Sequence, residues 1–348
     1  MKFIKKVILV LNILLVVGLG FAYLSPHFDP NEIWIFSIFG LFYPILLLLN
    51  LSLIVFWMFI DFKYLFISLA AILLGWNHLQ SFVNFSSSNN SKDELTILTY
   101  NLGFSYTVRS GPKSSRSLKK EALSSFFSSN SDVDVFCLQE SSNFSRDILK
   151  ENFEKFHQHK VNGRGTFILS KYPILQHGEI RFGTNTNSCI WADIDLGKDT
   201  IRLYNMHLQS NQVSKDAIKV MDNVNLQEKE TWNGIRGILG KYRATNKVRA
   251  KQSMRLAEHA ANSQYPIIIC GDGNDPPTSF TYKQLRSDMQ DSFIESGTGI
   301  GTTYAGKIPM LRIDYIFVDN QFEVNTFKIL QETFSDHYAV KGTYSLKD

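Results

Sequence analysis

Residues 265–275 read Tyr-Pro-Ile-Ile-Ile-Cys-Gly-Asp-Gly-Asn-Asp. Three consecutive isoleucines bounded by Pro266 and Gly271 give the short β-branched run of a buried strand. The cluster after Cys270 is built from turn formers, so the strand ends where a carboxylate (Asp272) and an amide (Asn274) emerge at the rim of a sheet. An Asx-turn closing the strand satisfies the same letters. The company this stretch keeps decides between scaffolding and chemistry.

Working outward, the same arrangement recurs. Strands are predicted over 95–100, 133–138, 166–170, 189–195, 200–206, 266–270 and 313–318, and helices over 117–128 and 244–264. Strands and helices mix without a regular βαβ beat, which points to a sheet-rich α/β domain with packed sheets. Polar clusters follow several of these strands: Asn101 after Tyr100, Gln139-Glu140 after Leu138, His207 after Asn205-Met206, Asp314 after Ile313, and Ser335-Asp336-His337 near the end. Carboxylates, amides and imidazoles converging at strand ends suit a hard-cation phosphoester site. Oxygen ligands hold Mg²⁺ or Mn²⁺, and histidines stabilise phosphate oxygens.

Seven stretches in order carry a resemblance. They are Thr99-Tyr100-Asn101, Leu138-Gln139-Glu140, Leu169-Ser170-Lys171-Tyr172-Pro173, Asn205-Met206-His207-Leu208, Gly271-Asp272-Gly273-Asn274-Asp275, Arg312-Ile313-Asp314-Tyr315-Ile316 and Ser335-Asp336-His337. Together they resemble the endonuclease/exonuclease/phosphatase superfamily, which includes deoxyribonuclease I, apurinic endonucleases, neutral sphingomyelinases and inositol polyphosphate 5-phosphatases. A membrane-tethered branch with three N-terminal helices is more similar still, including Arg249-Ala250-Lys251-Gln252. The resemblance implies a four-layer α/β sandwich (deoxyribonuclease I-like), preceded here by a three-helix transmembrane anchor. It also implies the roles. Glu140 is expected as principal ligand to Mg²⁺ or Mn²⁺, beside Asn101, with Asp336 adding a carboxylate. Asp272 is expected to orient or deprotonate the attacking water, Asn274 to bind phosphate, and His207 to contact a phosphate oxygen or assist the leaving group. Asp314 and His337 are expected as a carboxylate–imidazole pair. One departure is Gly273, where relatives usually carry Phe; it implies altered loop packing.

Other residues carry two readings each. Lys171 is a loop charge or a substrate contact. Lys241, Arg243, Lys247, Arg249, Lys251 and Arg255 form an acid-free basic run suited to a nucleic-acid groove, an anionic lipid face or a solvated helix. The segment 105–117, with Arg109, Lys113 and Arg116, reads as a substrate rim. His27, His78, His157, His159, His177 and His259 match no motif and read as surface or packing residues. Cys137 and Cys270 read as free buried thiols.

The N-terminal quarter is of a different kind. Of 348 residues, 44% are hydrophobic and 20% charged, with net charge +4 and three cysteines. These values exclude a disordered chain, a disulfide scaffold and a strongly basic nucleic-acid binder. Yet residues 1–91 hold only four basic side chains (Lys2, Lys5, Lys6, Lys63) and three acids (Asp29, Glu32, Asp61). Spans are predicted at about 6–24, 35–60 and 64–82, within an anchor of residues 1–83. The first also fits a signal peptide. Positive charge before span one and at Lys63 places the N-terminus and second loop in the cytoplasm. Three crossings then put the rest outside a cytoplasmic membrane. The polar second half of the third stretch is the weak point, because a surface-lying segment would reverse the side. Residues 84–93 read as a flexible linker and 94–348 as the enzymatic domain.

The expected activity is hydrolysis of a phosphodiester by in-line attack of water, at a site held beside the bilayer. Nucleic acid and a phospholipid or sphingolipid headgroup are both admitted as substrate, and so is a phosphomonoester. The competing class is a membrane-tethered binding protein without catalysis. Every polar position of the motif set is occupied by a competent residue, which argues against it.

Overall fold

The structure, a computed structural model, describes residues 2–86, 95–103, 113–161, 163, 165–184, 187–211, 228–306, 310–331 and 335–347. The chain forms two compact units. One comprises Met1–Phe82, Asn211–Ala250 and Asp275–Gln284, and the other Val83–Ser210, Lys251–Asn274 and Leu285–Asp348.

In the first unit two helices, among the described residues, are long and apolar enough to cross a bilayer. Lys2–His27 has a mean hydropathy of 2.6 and Tyr43–Ile60 one of 2.2, while Phe62–Leu74 is shorter. The second predicted span, 35–60, is divided into helices Ile35–Leu41 and Tyr43–Ile60. The cause is Pro44, which has no N–H to offer the carbonyl four residues back. That carbonyl, of Gly40, accepts instead from Thr278 Oγ1 at 2.7 Å. The third predicted span, 64–82, is not one helix: Leu65–Leu74 stops at Gly75 and Trp76–Gln80 follows. A Cβ on Gly75 would overlap the Tyr23 ring, so glycine lets the two segments pack closely there.

Buried polar atoms tie these helices together. Asn12 Nδ2 donates to Ser68 Oγ (2.6 Å), Trp57 Nε1 donates to Asn12 Oδ1 (2.9 Å), and Ser68 Oγ donates to Asn50 Oδ1 (2.8 Å). The two ends of the bundle are distinct. At one, Lys5 pairs with Asp61 at 2.6 Å, and Lys5 and Lys63 lie over the Tyr64 ring. At the other, Tyr23 stacks on His78 at 5.0 Å and Tyr43 packs on Phe82 at 5.0 Å.

That second end also holds segments from far along the chain. Tyr242 Oη donates to the Ser37 carbonyl (3.2 Å), Asn31 and Lys247 exchange hydrogen bonds, and Arg243 lies over the Trp34 ring at 4.8 Å. Arg249 is fully buried, and its guanidinium donates to Asp275 Oδ1 (3.1 Å) and Asn211 Oδ1 (2.7 Å). Tyr242 and Asn246 complete the shell of Asp275, at 3.3 and 3.0 Å. The basic run is therefore not one solvated face. Removing one member of a buried, hydrogen-bonded ion pair strands its partner's charge, at a cost of about 3–5 kcal/mol. Arg249→Met should lower the thermal unfolding midpoint of the detergent-solubilised protein markedly. Adding Asp275→Asn should restore part of the loss, and an unchanged midpoint in the single variant would refute this account.

The described residues of the second unit form fourteen strands. In chain order they are β1 (Val83–Phe85), β2 (Leu95–Asn101), β3 (Val135–Gln139), β4 (His157–Lys160), β5 (Phe167–Ser170), β6 (Ile174–Ile180) and β7 (Ser188–Asp195). The rest are β8 (Thr200–His207), β9 (Ile267–Asp272), β10 (Gln290–Asp291), β11 (Thr298–Ile300), β12 (Asp314–Val318), β13 (Phe322–Leu330) and β14 (Ala339–Leu346). They form two six-stranded sheets, ordered β10-β12-β9-β8-β7-β6 and β13-β14-β2-β3-β5-β4, and a β1–β11 ribbon. Within each six-stranded sheet one neighbouring pair is parallel, β8–β9 in the first and β2–β3 in the second.

The sheets face each other across a core that takes Ile97, Val135 and Cys137 from one and Ile190, Ile201, Leu203 and Ile268 from the other. On the outer face of the β2–β3 sheet, Tyr100, Phe136 and Leu138 pack with Phe126 and Phe127 of helix Lys113–Ser129 and Ile148 of helix Asn143–Asn152. On the outer face of the other sheet, Tyr204 Oη bonds His259 Nδ1 at 2.9 Å, and Trp191 packs on the same imidazole. This is a mixed α/β sandwich. The start of the predicted linker is strand instead of coil. β1 pairs with β11, and the buried Asn84 amide donates to the carbonyls of Phe293 and Ile294. Residues 87–93 of that linker and 105–112 of the predicted rim lie outside the described residues.

Candidate active site

Strand register assembles the site. In the sheet, His207 at the end of β8 pairs with Asp272 at the end of β9, and Asp272 pairs with Asp314 at the start of β12. The side chains of one imidazole and two carboxylates thus stand abreast on three adjacent strands. From the facing sheet, parallel register brings Asn101 of β2 beside Gln139 of β3, with Glu140 next in the chain.

Asp272 is the most heavily bonded member. Its Oδ2 accepts from Asn101 Nδ2 at 2.8 Å and Asn274 Nδ2 at 2.9 Å, and its Oδ1 accepts from the Asn274 backbone N–H at 2.8 Å. The second Asn274 amide N–H goes to the Leu208 carbonyl at 3.1 Å, so this side chain fixes the loop and Asp272. Burial, reinforced by Asp314 and opposed by His337, raises the Asp272 pKa to about 6.

Asp314 and His337 do meet: the imidazole Nδ1 lies 2.9 Å from Oδ2 and 3.2 Å from Oδ1. The Asp314 backbone N–H is held by Thr303 Oγ1 at 3.0 Å, and the Tyr304 ring packs edge-on against the imidazole. Burial works against the charged ring. The surrounding carboxylates, Asp314 first and then Asp272, overcome it and raise the His337 pKa to about 10. His207 is the opposite case, since burial outweighs Asp272 and lowers its pKa. Neither His207 ring nitrogen has a hydrogen-bond partner among the described residues, although both are buried. Its Nε2 lies 3.4 Å from Glu140 Oε1 and 3.8 Å from Asp272 Oδ2. A buried imidazole kept neutral, with both nitrogens open, is a donor or acceptor in waiting.

Glu140 has a positive φ of 45°, uncommon for a residue with a side chain. The chain opposite accommodates it only because residue 165 is glycine: a Cβ there would fall 2.7 Å from the Glu140 Cα. The bend turns the carboxylate out of the strand's alternation toward His207. Burial, and then Asp336 against the counter-pull of His337, raises the Glu140 pKa. Asp336 itself is exposed and lies beside Gly103 at the rim.

These residues fit a divalent cation. Asp336 disfavours the charge on Glu140, and neither acid is ion-paired to a lysine or arginine among the described residues. Asn101 Oδ1, which accepts from the Gly103 N–H at 3.0 Å, keeps a second lone pair. An all-oxygen set is what Mg²⁺ or Mn²⁺ takes. Asp272, Asp314 and His337 also lie close enough for a shared ion. There, however, the imidazolium already supplies the positive charge.

Gln139 and Asn205 stand in two of the quoted stretches but carry no expected role in the site, and the structure gives them one. Gln139 Nε2 donates to Asn205 Oδ1 at 2.7 Å, and Asn205 Nδ2 donates to the carbonyls of Leu138 and Phe167 at 3.0 and 2.9 Å. These buried amides clamp the two sheets together directly beneath the site. Lys171 pairs with Asp134 at 2.9 Å. Gly273 is explained by Tyr315, whose ring would lie 3.1 Å from a Cβ at that position. A phenylalanine there would require Tyr315 to move.

Paired sheets gather acids, amides and imidazoles at their strand ends, an arrangement suited to phosphoester hydrolysis. Residues 98–337 match the Endonuclease/Exonuclease/phosphatase family, and the chain belongs to it. Residues 5–82 match a domain of unknown function (DUF8431). Among solved structures, an endonuclease/exonuclease/phosphatase family protein from Bacteroides thetaiotaomicron is similar at a TM-score of 0.54 and 16% identity, covering 74% of this chain and 100% of that one. The mannosyl-6-phosphatase of the same organism has a TM-score of 0.51 at 17% identity, covering 72% and 100%. Humanized D. rerio TDP2 has 0.52 at 17% identity, covering 72% and 99%. At these identities the likeness is one of fold. No curated protein matches the chain.

Proposed function

We propose that the protein is a membrane-anchored, divalent-metal-dependent phosphoesterase that hydrolyses a phosphodiester of nucleic acid or of a lipid headgroup. The observation that carries this reading is the alignment of His207, Asp272 and Asp314–His337 across adjacent strand ends, with Glu140 and Asn101 facing them. Glu140, Asn101 and Asp336 would hold Mg²⁺ or Mn²⁺. When bound, the cation supplies Lewis-acid polarisation of the phosphate. Asp272, anchored by both asparagine amides, orients the attacking water and takes its proton. His337, kept charged by Asp314, donates to a phosphate oxygen as negative charge builds, and neutral His207 hydrogen-bonds a second oxygen or the leaving group. The test is release of product by the full-length protein, with Mg²⁺ or Mn²⁺, from DNA, RNA, sphingomyelin, phosphatidylcholine, a chromogenic bis-ester and the corresponding monoester. Cleavage of a monoester alone would overturn the diesterase reading, and no cleavage of any ester would overturn the enzyme.

The apolar helices support anchoring with the site outside. Lys5, Asp61 and Lys63 share one end of the bundle, the cytoplasmic one by charge bias. Although broken at Gly75, the third stretch returns to the other end, where His78 and Phe82 meet Tyr23 and Tyr43. Residues 229–250 and 275–284 are held at that same end. Protease added to intact spheroplasts should therefore degrade the enzymatic portion. Protection until lysis would reverse the topology.

A further inference from the structure

We propose that the opening turns of helix Lys229–Ala261 lie in the headgroup layer of the bilayer and bind anionic phospholipid. The inference rests on reading Lys2–His27 and Tyr43–Ile60 as membrane spans. Two consecutive turns of this helix touch the segment joining those spans. Arg243 lies 4.8 Å over the Trp34 ring, and Lys247 exchanges hydrogen bonds with Asn31 one turn later. Contact over successive turns means that the helix runs across the end of the bundle and does not stand upright on it. Trp34 occupies the level at which tryptophan marks the membrane–water boundary.

The stripe that makes these contacts continues toward the helix start at three- and four-residue steps, through Leu239, Arg236 and Trp232, with Ile235 beside it. Trp232 is 50% exposed, Arg236 and Arg243 are exposed, and Ile235 and Leu239 are half-buried. From residue 231 to 257 the helix contains no acid. The rise from residue 232 to 243 extends about 16 Å along the surface. An aromatic and aliphatic stripe studded with arginine, held at the level of an interfacial tryptophan, matches an anionic lipid surface in both polarity and charge. Gly237 lies across the helix from Leu239, with Gly234 one turn earlier.

The three native cysteines are buried, so a nitroxide can be placed at single introduced thiols. Full-length protein would be reconstituted into phosphatidylglycerol or phosphatidylcholine vesicles, with labels at Leu239→Cys, Gly237→Cys and Leu48→Cys. Nothing lies within 4 Å of a Cβ at Gly237, and Leu48 is 48% exposed on its helix. In phosphatidylglycerol the Leu239 label should collide with oxygen more than with an aqueous nickel chelate, and the Gly237 label the reverse. In phosphatidylcholine, or after Arg236→Gln with Arg243→Gln, the Leu239 label should shift toward water. A deep Leu48 label with aqueous labels at both 239 and 237 overturns the proposal while the anchor stands. An aqueous Leu48 label overturns the anchor, and the proposal with it. Equal depth at 239 in both lipids overturns anionic recognition.

Discussion

Glu140→Gln should reduce turnover of the full-length protein by about 10²–10⁴ and abolish its dependence on added Mg²⁺ or Mn²⁺. The amide keeps the volume and one oxygen of the carboxylate but removes the charge that a divalent cation requires. Several kcal/mol of transition-state charge stabilisation are at stake, and each 1.4 kcal/mol is about tenfold in rate. Folding should survive. The Glu140 side chain is 23% exposed, and burial already disfavours its charged form, so neutralising it strands no buried partner. Measured by kinetics in EDTA and under metal titration, wild-type activity should vanish in chelator and return with Mg²⁺ or Mn²⁺. A chelator-resistant wild type, or a Gln variant with wild-type turnover, would remove Glu140 from the metal site.

The sequence made the candidate site residues legible because they are concentrated at strand ends. A strand announces itself by β-branched density, and whatever follows the last apolar residue must emerge at the rim. For that reason Asn101, Glu140, His207, Asp272 and Asp314 could be picked out one by one. Their mutual placement could not. That His207, Asp272 and Asp314 stand abreast depends on the register of β8, β9 and β12, which no local pattern encodes. Three of the strands that escaped the reading show a further limit. β6 and β13 mix charged or polar residues with apolar ones because one face of each is exposed, and β4 reads His-Gln-His-Lys with hardly an apolar letter. In the apolar quarter hydropathy found the segments but not the breaks. Pro44 and Gly75 divide runs that look continuous, because glycine and proline act through packing and hydrogen bonding and not through polarity. Arg249 is the clearest case of composition misleading: a residue in a basic run turns out to be wholly buried against Asp275.

Asp314→Asn and His337→Ala should each lower turnover by about 10²–10³, the usual loss on removing one positioned donor to a developing oxyanion. The double variant should be little worse than the poorer single, because the residues act as one device. The 2.9 Å contact from Asp314 Oδ2 to the imidazole Nδ1 fixes which nitrogen faces the site. The same carboxylate, helped by Asp272, holds the ring's pKa near 10, against an ordinary value of 6.5. A raised imidazole pKa means that the charged ring contributes fully to stability below about pH 6.5, and that the contribution disappears as pH climbs through about 10. Activity should track that charge on the alkaline side. On the acid side it should fall as Asp272 takes up a proton near pH 6, since a protonated carboxyl cannot accept one from water. Asp314→Asn removes the partner that sustains the imidazolium, so its alkaline limb should move to lower pH while the acid limb survives. A merely structural role for Asp314 would depress the rate at every pH and leave the limb in place. If the losses in the double variant multiply, or the alkaline limb of Asp314→Asn stays where the wild type has it, the two residues do not function as a pair.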